Sequence, residues 1–237
     1  MRRSRGVPPP GGAIEEALRA VLAALEASGN PAMIIGGIAV IARGVARLTK
    51  DIDATISGGD ADVDGVIEAL ARHQIVPRIP NAVTFTQESH VLLLRHEPSG
   101  VEVDLSLAWL PFELEAIMAA ERVLVHGTRV PVPRVEDLVI YKIVGWRPQD
   151  QQDVERLVAL HGAHMDLRRV KRLTHELAEA LEDPERAEEV DCLIAKAMAT
   201  DATQPKRSRS PIEPKAADRP RATDKVSGSS SKKLRKK

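Results

Sequence analysis

Two aspartates, Asp51 and Asp53, stand two apart in a run, Asp51 to Ser57, that alternates polar with apolar side chains. On a strand, residues i and i+2 share a face, so both carboxylates project to one side, a few ångströms apart. Two anions that close repel each other, and a divalent cation removes the cost. Hard oxygen donors of this kind suit Mg²⁺ or Mn²⁺ rather than zinc. A third acid, Asp104, lies in a second alternating run. There Val101, Val103, Leu105 and Leu107 point one way, and Glu102, Asp104 and Ser106 the other. If the two strands are neighbours, three acidic groups converge. Glu102 shares the face of Asp104 and is the alternative third acid.

The Asp-x-Asp spacing alone says little. With 15 aspartates in 237 residues, roughly one such pair arises by chance, and the chain holds three. The setting gives this one meaning. Gly36-Gly37 sits between the short apolar run Met33-Ile34-Ile35 and a helical run that begins at Ile38. Paired glycines let backbone N–H groups approach an anion closely, and the start of a helix adds favourable potential. A triphosphate docked on that bend would have its metal held by the carboxylates.

With these residues in order, the sequence resembles a known family. Gly36-Gly37-Ile38-Ala39-Val40, followed by Arg47-Leu48-Thr49-Lys50-Asp51-Ile52-Asp53, is similar to the opening motif of the DNA polymerase beta nucleotidyltransferase superfamily. The likeness is greatest to its small bacterial branches, the aminoglycoside nucleotidyltransferases and the abortive-infection toxin nucleotidyltransferases. Val101-Glu102-Val103-Asp104-Leu105 resembles the strand that carries the family's third carboxylate. Lys142 to Val154 resembles a helical stretch of lysine, arginine and then Asp-x-x-Asp, met here as Asp150 and Asp153. The resemblance spans about residues 30–160.

It implies transfer of a nucleoside monophosphate from an NTP, ATP among the candidates, to an acceptor hydroxyl on a small molecule or an RNA. Pyrophosphate is released in an in-line displacement assisted by two metals. Asp51, Asp53 and Asp104 would be the catalytic metal ligands, with Asp104 nearest the acceptor. Gly36, Gly37, Arg47, Lys50 and Lys142 would face the nucleotide, the cations neutralising phosphate charge. The second glycine is often serine in the wider superfamily, a departure that weakens one phosphate contact and leaves the metal site intact. The competing function is a binding module of the same fold that takes nucleotide or nucleic acid without turnover, for instance as one half of a toxin–antitoxin pair. Asp150 and Asp153 read instead as helix acids sharing a face, with Asp150 in a first turn where an acid is favoured.

Other motifs carry nothing comparable. Asp60 to Gly65 imitates a calcium loop, but residue 71 is Ala where a bidentate acid is needed. Asp60 reads as the cap of a helix. His161 and His164 lack a third ligand, and the single Cys192 reads as a small core residue. Dinucleotide, phosphate-loop and hydrolase signatures do not occur, so those classes have no support.

The elements that must position these residues follow from periodicity. Ile14, Leu18, Val21, Leu22 and Leu25 mark a helix over about 13–28, stopped by Gly29-Asn30-Pro31. A strand over 33–35, a helix from 38 to 45, the strand 51–57 and a helix to about 73 follow. Residues 90–96 and 101–108 form a hairpin, and 122–125 with 129–132 form a second. Before them, 74–92 reads mainly as a loop that, with the helical half, would carry acceptor-side residues. Helices are expected over about 135–145, 149–161, 166–182 and 184–199. The fold class is α+β: a mixed nucleotidyltransferase sheet with flanking helices, then a C-terminal helical bundle. Its segments are a flexible leader (1–12), the nucleotidyltransferase core (13–134), the helical region (135–200) and a disordered basic tail (201–237).

Composition fits this reading. Lys+Arg and Asp+Glu are both 34, yet residues 201–237 hold 12 basic and 4 acidic residues, or +8. Residues 1–200 therefore carry 22 − 30 = −8. The tail, ending Lys232-Lys233-Leu234-Arg235-Lys236-Lys237, offers weak nonspecific contact with nucleic-acid phosphates. Aromatics at 2% argue against a stacking platform for single strands. The longest uncharged apolar run, Ala32 to Ala42, is too short to cross a bilayer, and no secretory signal is apparent. A cytoplasmic protein with an NTP and an unidentified acceptor as its ligands, of undefined oligomeric state, is expected.

Overall fold

The computed structural model describes residues 10–58 and 62–203. Most of the expected leader, the expected cap Asp60 and the basic tail from residue 204 lie outside the described residues. Helix α1 (Pro10–Ala27) starts inside the expected leader, because proline is tolerated in a helix's first turn, where an N–H has no partner to lose. Then come β1 (Ala32–Ile34), α2 (Gly36–Ala42), β2 (Asp51–Ser57) and α3 (Val63–Ala71). Asp62 caps α3, its carboxylate accepting from the Gly65 N–H at 2.9 Å.

Beyond α3 run β3 (Ile75–Pro77), α4 (Ala82–Ser89), β4 (Val91–His96), β5 (Glu102–Ala108) and α5 (Pro111–Met118). The expected 74–92 loop thus holds a three-residue strand and an eight-residue helix. Each is too short to impose a period, and Pro77 and Pro80 mask them. The hairpin β6 (Glu121–Val125) and β7 (Thr128–Val132) leads to α6 (Val135–Gly145), α7 (Pro148–His161), α8 (Leu167–Ala180) and α9 (Pro184–Thr203). These four helices lie within a few residues of the lengths their periodicity predicts.

Five strands form one mixed sheet in the order β1-β2-β5-β4-β3. β2 and β5 run parallel at its centre, and the other pairs are antiparallel. The apolar face holds Ile52, Ala54 and Ile56 of β2 with Val103, Leu105 and Leu107 of β5, all buried. They join one core with Leu18 and Val21 of α1 and Val66 and Leu70 of α3. Each large side chain buried there contributes about 1.5–3 kcal/mol.

The other face is divided. Met33 and Ala108 pack with Ala116 and Ile117 of α5, and Tyr141 of α6 lies against them. Thr55 is thereby fully buried on a face the sequence reads as polar. Toward the start of β2 the cover stops, and that open half carries the acids.

Candidate functional site

The sheet register places the acids. Asp53 is the direct partner of Asp104 across the parallel β2–β5 pair, and Asp51 is the partner of Glu102. Directly opposed residues project from the same face, so Asp53 and Asp104 are nearest neighbours there. Burial, reinforced by the charges of Asp51 and then Asp104, pushes Asp53 up to about 6, while Lys142 and the Gly37 backbone amide pull the other way. An acid that holds its proton this far above the usual range is short of countercharge.

Among the described residues, no three metal-ligating side chains are already gathered around one point. The reason lies in their present partners. The Arg78 guanidinium donates to Asp104 at 2.8 Å and lies 3.5 Å from Glu102. The Thr49 hydroxyl donates to Asp51 at 2.9 Å. Among the described residues Asp53 has no such side-chain partner, only the Gly37 backbone N–H. The donor set, all carboxylate oxygen with one proton-hungry member, fits a hard divalent ion. Glu102, the alternative third acid, is half exposed and salt-bridged also to Arg95, 3.8 Å away.

The glycine bend abuts the acids. Gly36 has φ +60°, and a Cβ there would fall on the Asp53 carboxylate. A Cβ on Gly37 would lie 2.6 Å from Thr49 Oγ1 and 3.3 Å from the Arg47 guanidinium carbon. Thr49 and Arg47 therefore occupy the space that a serine at the second glycine would need. This accounts for the departure from the wider superfamily's pattern. α2 begins at Gly36, so its first N–H groups point from beside Asp53.

The cations converge through two acids that the sequence reading set aside. The Lys142 ammonium lies 2.9 Å from Asp150 and 3.2 Å from Asp153. Arg47 is salt-bridged to the same Asp153, which is only 1% exposed. One buried acid of α7 thus holds a lysine of α6 and an arginine from the segment before β2. The i, i+3 spacing of Asp150 and Asp153 was the available signal, but it fits an ordinary helix face equally well. Arg78 was invisible for a plainer reason: only the β3–β4 pairing brings it to β5. Lys50, exposed, has no ion-pair partner among the described residues. His161 binds the Arg43 carbonyl at 2.7 Å and serves the packing of α7. Cys192 is exposed rather than in the core.

Comparisons with known proteins bear on the family and the fold. A family profile described as "nucleotidyltransferase of unknown function (DUF6036)" matches residues 13–201. No curated protein matches the sequence. In fold, the chain is similar to the antibiotic-resistance factor ANT(2'')-Ia, whose solution structure aligns with TM-score 0.50 and 18% identity. That alignment covers 76% of this chain and 99% of the other. JHP933 from Helicobacter pylori aligns at TM-score 0.45 and 12% identity, covering 81% of this chain and 94% of its own. A nucleotidyltransferase-like protein from Paracoccidioides brasiliensis gives 0.42 and 17%, covering 73% and 92%.

Proposed function

The chain belongs to the family of nucleotidyltransferases of unknown function whose profile spans it, and we propose that it moves a nucleoside monophosphate from an NTP to an acceptor hydroxyl, releasing pyrophosphate. The observation that carries this reading is the register of Asp53 against Asp104 beside the Gly36-Gly37 bend. Asp51, Asp53 and Asp104 would hold Mg²⁺ or Mn²⁺, which supplies charge neutralisation at the phosphates and a lowered pKa for the attacking hydroxyl. The chain's own part is positional. Backbone N–H groups at the start of α2 receive phosphate oxygens, and Gly36 keeps that approach clear of a side chain. Lys142, held at the wall by Asp150 and Asp153, faces Asp53 and offsets negative charge there. Arg47 does so from the other side of Asp153. Asp104, beside Arg78, stands closest to where an acceptor would enter and would take its proton.

Purified protein given labelled NTPs and Mg²⁺ with candidate acceptors is expected to release pyrophosphate, and Asp53→Asn to stop it. Release by the variant at the unaltered rate would refute the assignment. One observation favours a second reading. The Arg78–Asp104 ion pair engages the third acid, as a binding-only member could afford to do. Such a member would bind NTP in a metal-dependent way in calorimetry and release no pyrophosphate.

A further inference from the structure

At the opposite end of the sheet from the acids is a groove of about 670 Å³. Its walls are the last turns of α1, the segment Gly29–Ala32, the end of α5 and the β6–β7 hairpin. The sheet register fixes its distance from the acids. Ala32 in its wall pairs with Ile56, three residues along β2 from Asp53 and five from Asp51, or about 10 and 16 Å at strand rise, and none of Asp51, Asp53 and Asp104 lines the groove. The groove is therefore separate from the candidate catalytic site.

Three arginines line it: Arg19, Arg122 and Arg129. None of them has an ion-pair partner among the described residues, although residues 1–200 carry net negative charge and most other arginines there are paired. The hairpin explains why two of them stand together. Arg122 pairs with Pro131 and Leu124 with Arg129, so Arg122 and Arg129 share one face as diagonal neighbours. The alternate residues Val125, Val130 and Val132 are buried on the other. Valine burial thus forces both guanidiniums outward, and Arg19 of α1 faces the same groove. Glu26 is the single acid in the lining, leaving a net charge of +2. The remaining walls are apolar in part, with Leu22, Pro31 and Ile117.

Uncompensated guanidiniums repel one another, and a multivalent anion removes that cost. Guanidinium matches phosphate oxygens with paired N–H donors. The volume lies in the range that takes one small molecule. No aromatic side chain lines the groove, so recognition would rest on phosphates and not on a stacked base. We propose that this groove binds a small ligand carrying two or more phosphate groups, independently of the candidate metal site.

Calorimetry on the full chain tests this with inorganic pyrophosphate and tripolyphosphate as probes, in EDTA. Without a divalent ion the acid-lined site repels these anions, so binding in EDTA does not report the proposed nucleotidyl transfer, and the part of it lost in the hairpin variant below reports the groove and not the basic tail. Saturable binding is expected, weakening as salt is raised and unchanged in Asp53→Asn. Arg122→Ser/Arg129→Ser, on an exposed hairpin face, should weaken it roughly tenfold or more while the melting temperature stays that of the unaltered protein. Absence of binding in EDTA would overturn the proposal, as would equal binding by the double variant. Binding of sulfate as tightly as tripolyphosphate would also overturn it, since no multivalent recognition would then exist.

Discussion

An ordinary aspartate gives up its proton near pH 4, whereas Asp53 keeps its own to about 6. The sign of the consequence follows from linkage. Between about pH 4 and 6 the folded chain binds more protons at this site than the unfolded chain, so stability falls as pH rises through that window. The cost in the metal-free protein at pH 7 is about 2–3 kcal/mol. Asp53→Asn should therefore raise the melting temperature in EDTA at pH 7 and flatten its slope between pH 4 and 6. Parallel curves for the variant and the unaltered protein would contradict the burial argument. Gly36→Ala acts in the opposite direction. Its Cβ would collide with the Asp53 carboxylate at a positive φ, and a loss of at least 1–3 kcal/mol is expected in chemical denaturation. Arg78→Gln frees Asp104, and Mn²⁺ binding followed by electron paramagnetic resonance should tighten roughly fivefold, the worth of a ~1 kcal/mol partly exposed pair. Unchanged Mn²⁺ affinity would mean that Arg78 does not compete with the ion.

At the level of elements, the helical half is anchored by one buried acid. Asp137 of α6, fully buried, accepts from Arg134 at 2.7 Å and is salt-bridged to Arg169 of α8. Arg169 also lies 3.3 Å from Glu115 of α5. Asp137→Ala would strip Arg134 and Arg169 of their buried countercharge, leaving Arg169 only the exposed Glu115, and should cost about 3–5 kcal/mol in urea unfolding. A loss near zero would show that packing alone docks α8. Such long-range pairs explain what the sequence disclosed and what it withheld. β2, β5 and α6 were legible because Ile52-Ala54-Ile56, Val103-Leu105-Leu107 and the apolar repeat after Val135 impose a period. Asp51, Asp53 and Gly36-Gly37 were legible because spacing and glycine chemistry are local. Arg78, Asp150 and Asp153 were not, since their roles arise only when β3 meets β4 and α7 meets α6. The burial of Thr55 was equally hidden: its neighbours in sequence mark a wet face, and only α5 and Tyr141 make it dry.

For the molecule as a whole, the sheet's two faces divide the labour. One is a continuous aliphatic core, built with few aromatics, and the other is half roof and half open acid cleft. No helix among the described residues is long and apolar enough to cross a membrane. Because Asp53 is short of countercharge in the cleft, occupancy by the proposed cation should stabilise the entire fold. Adding Mg²⁺ or Mn²⁺ at a hundred times its dissociation constant is worth about 2.7 kcal/mol. The melting temperature at pH 7 should rise accordingly, and Asp53→Asn/Asp104→Asn should abolish the rise. A metal-induced shift that survives in this double variant would place the ion elsewhere.

Asp153 serves two masters, Arg47 on the strand side and Lys142 on the helix side. In the proposed function, a phosphate that drew the lysine outward would release this carboxylate to grip the arginine alone, and the reverse would hold for the arginine. The two positive charges would then answer to a ligand as a linked pair, like the ends of a balance beam, and replacing either one would retune the other.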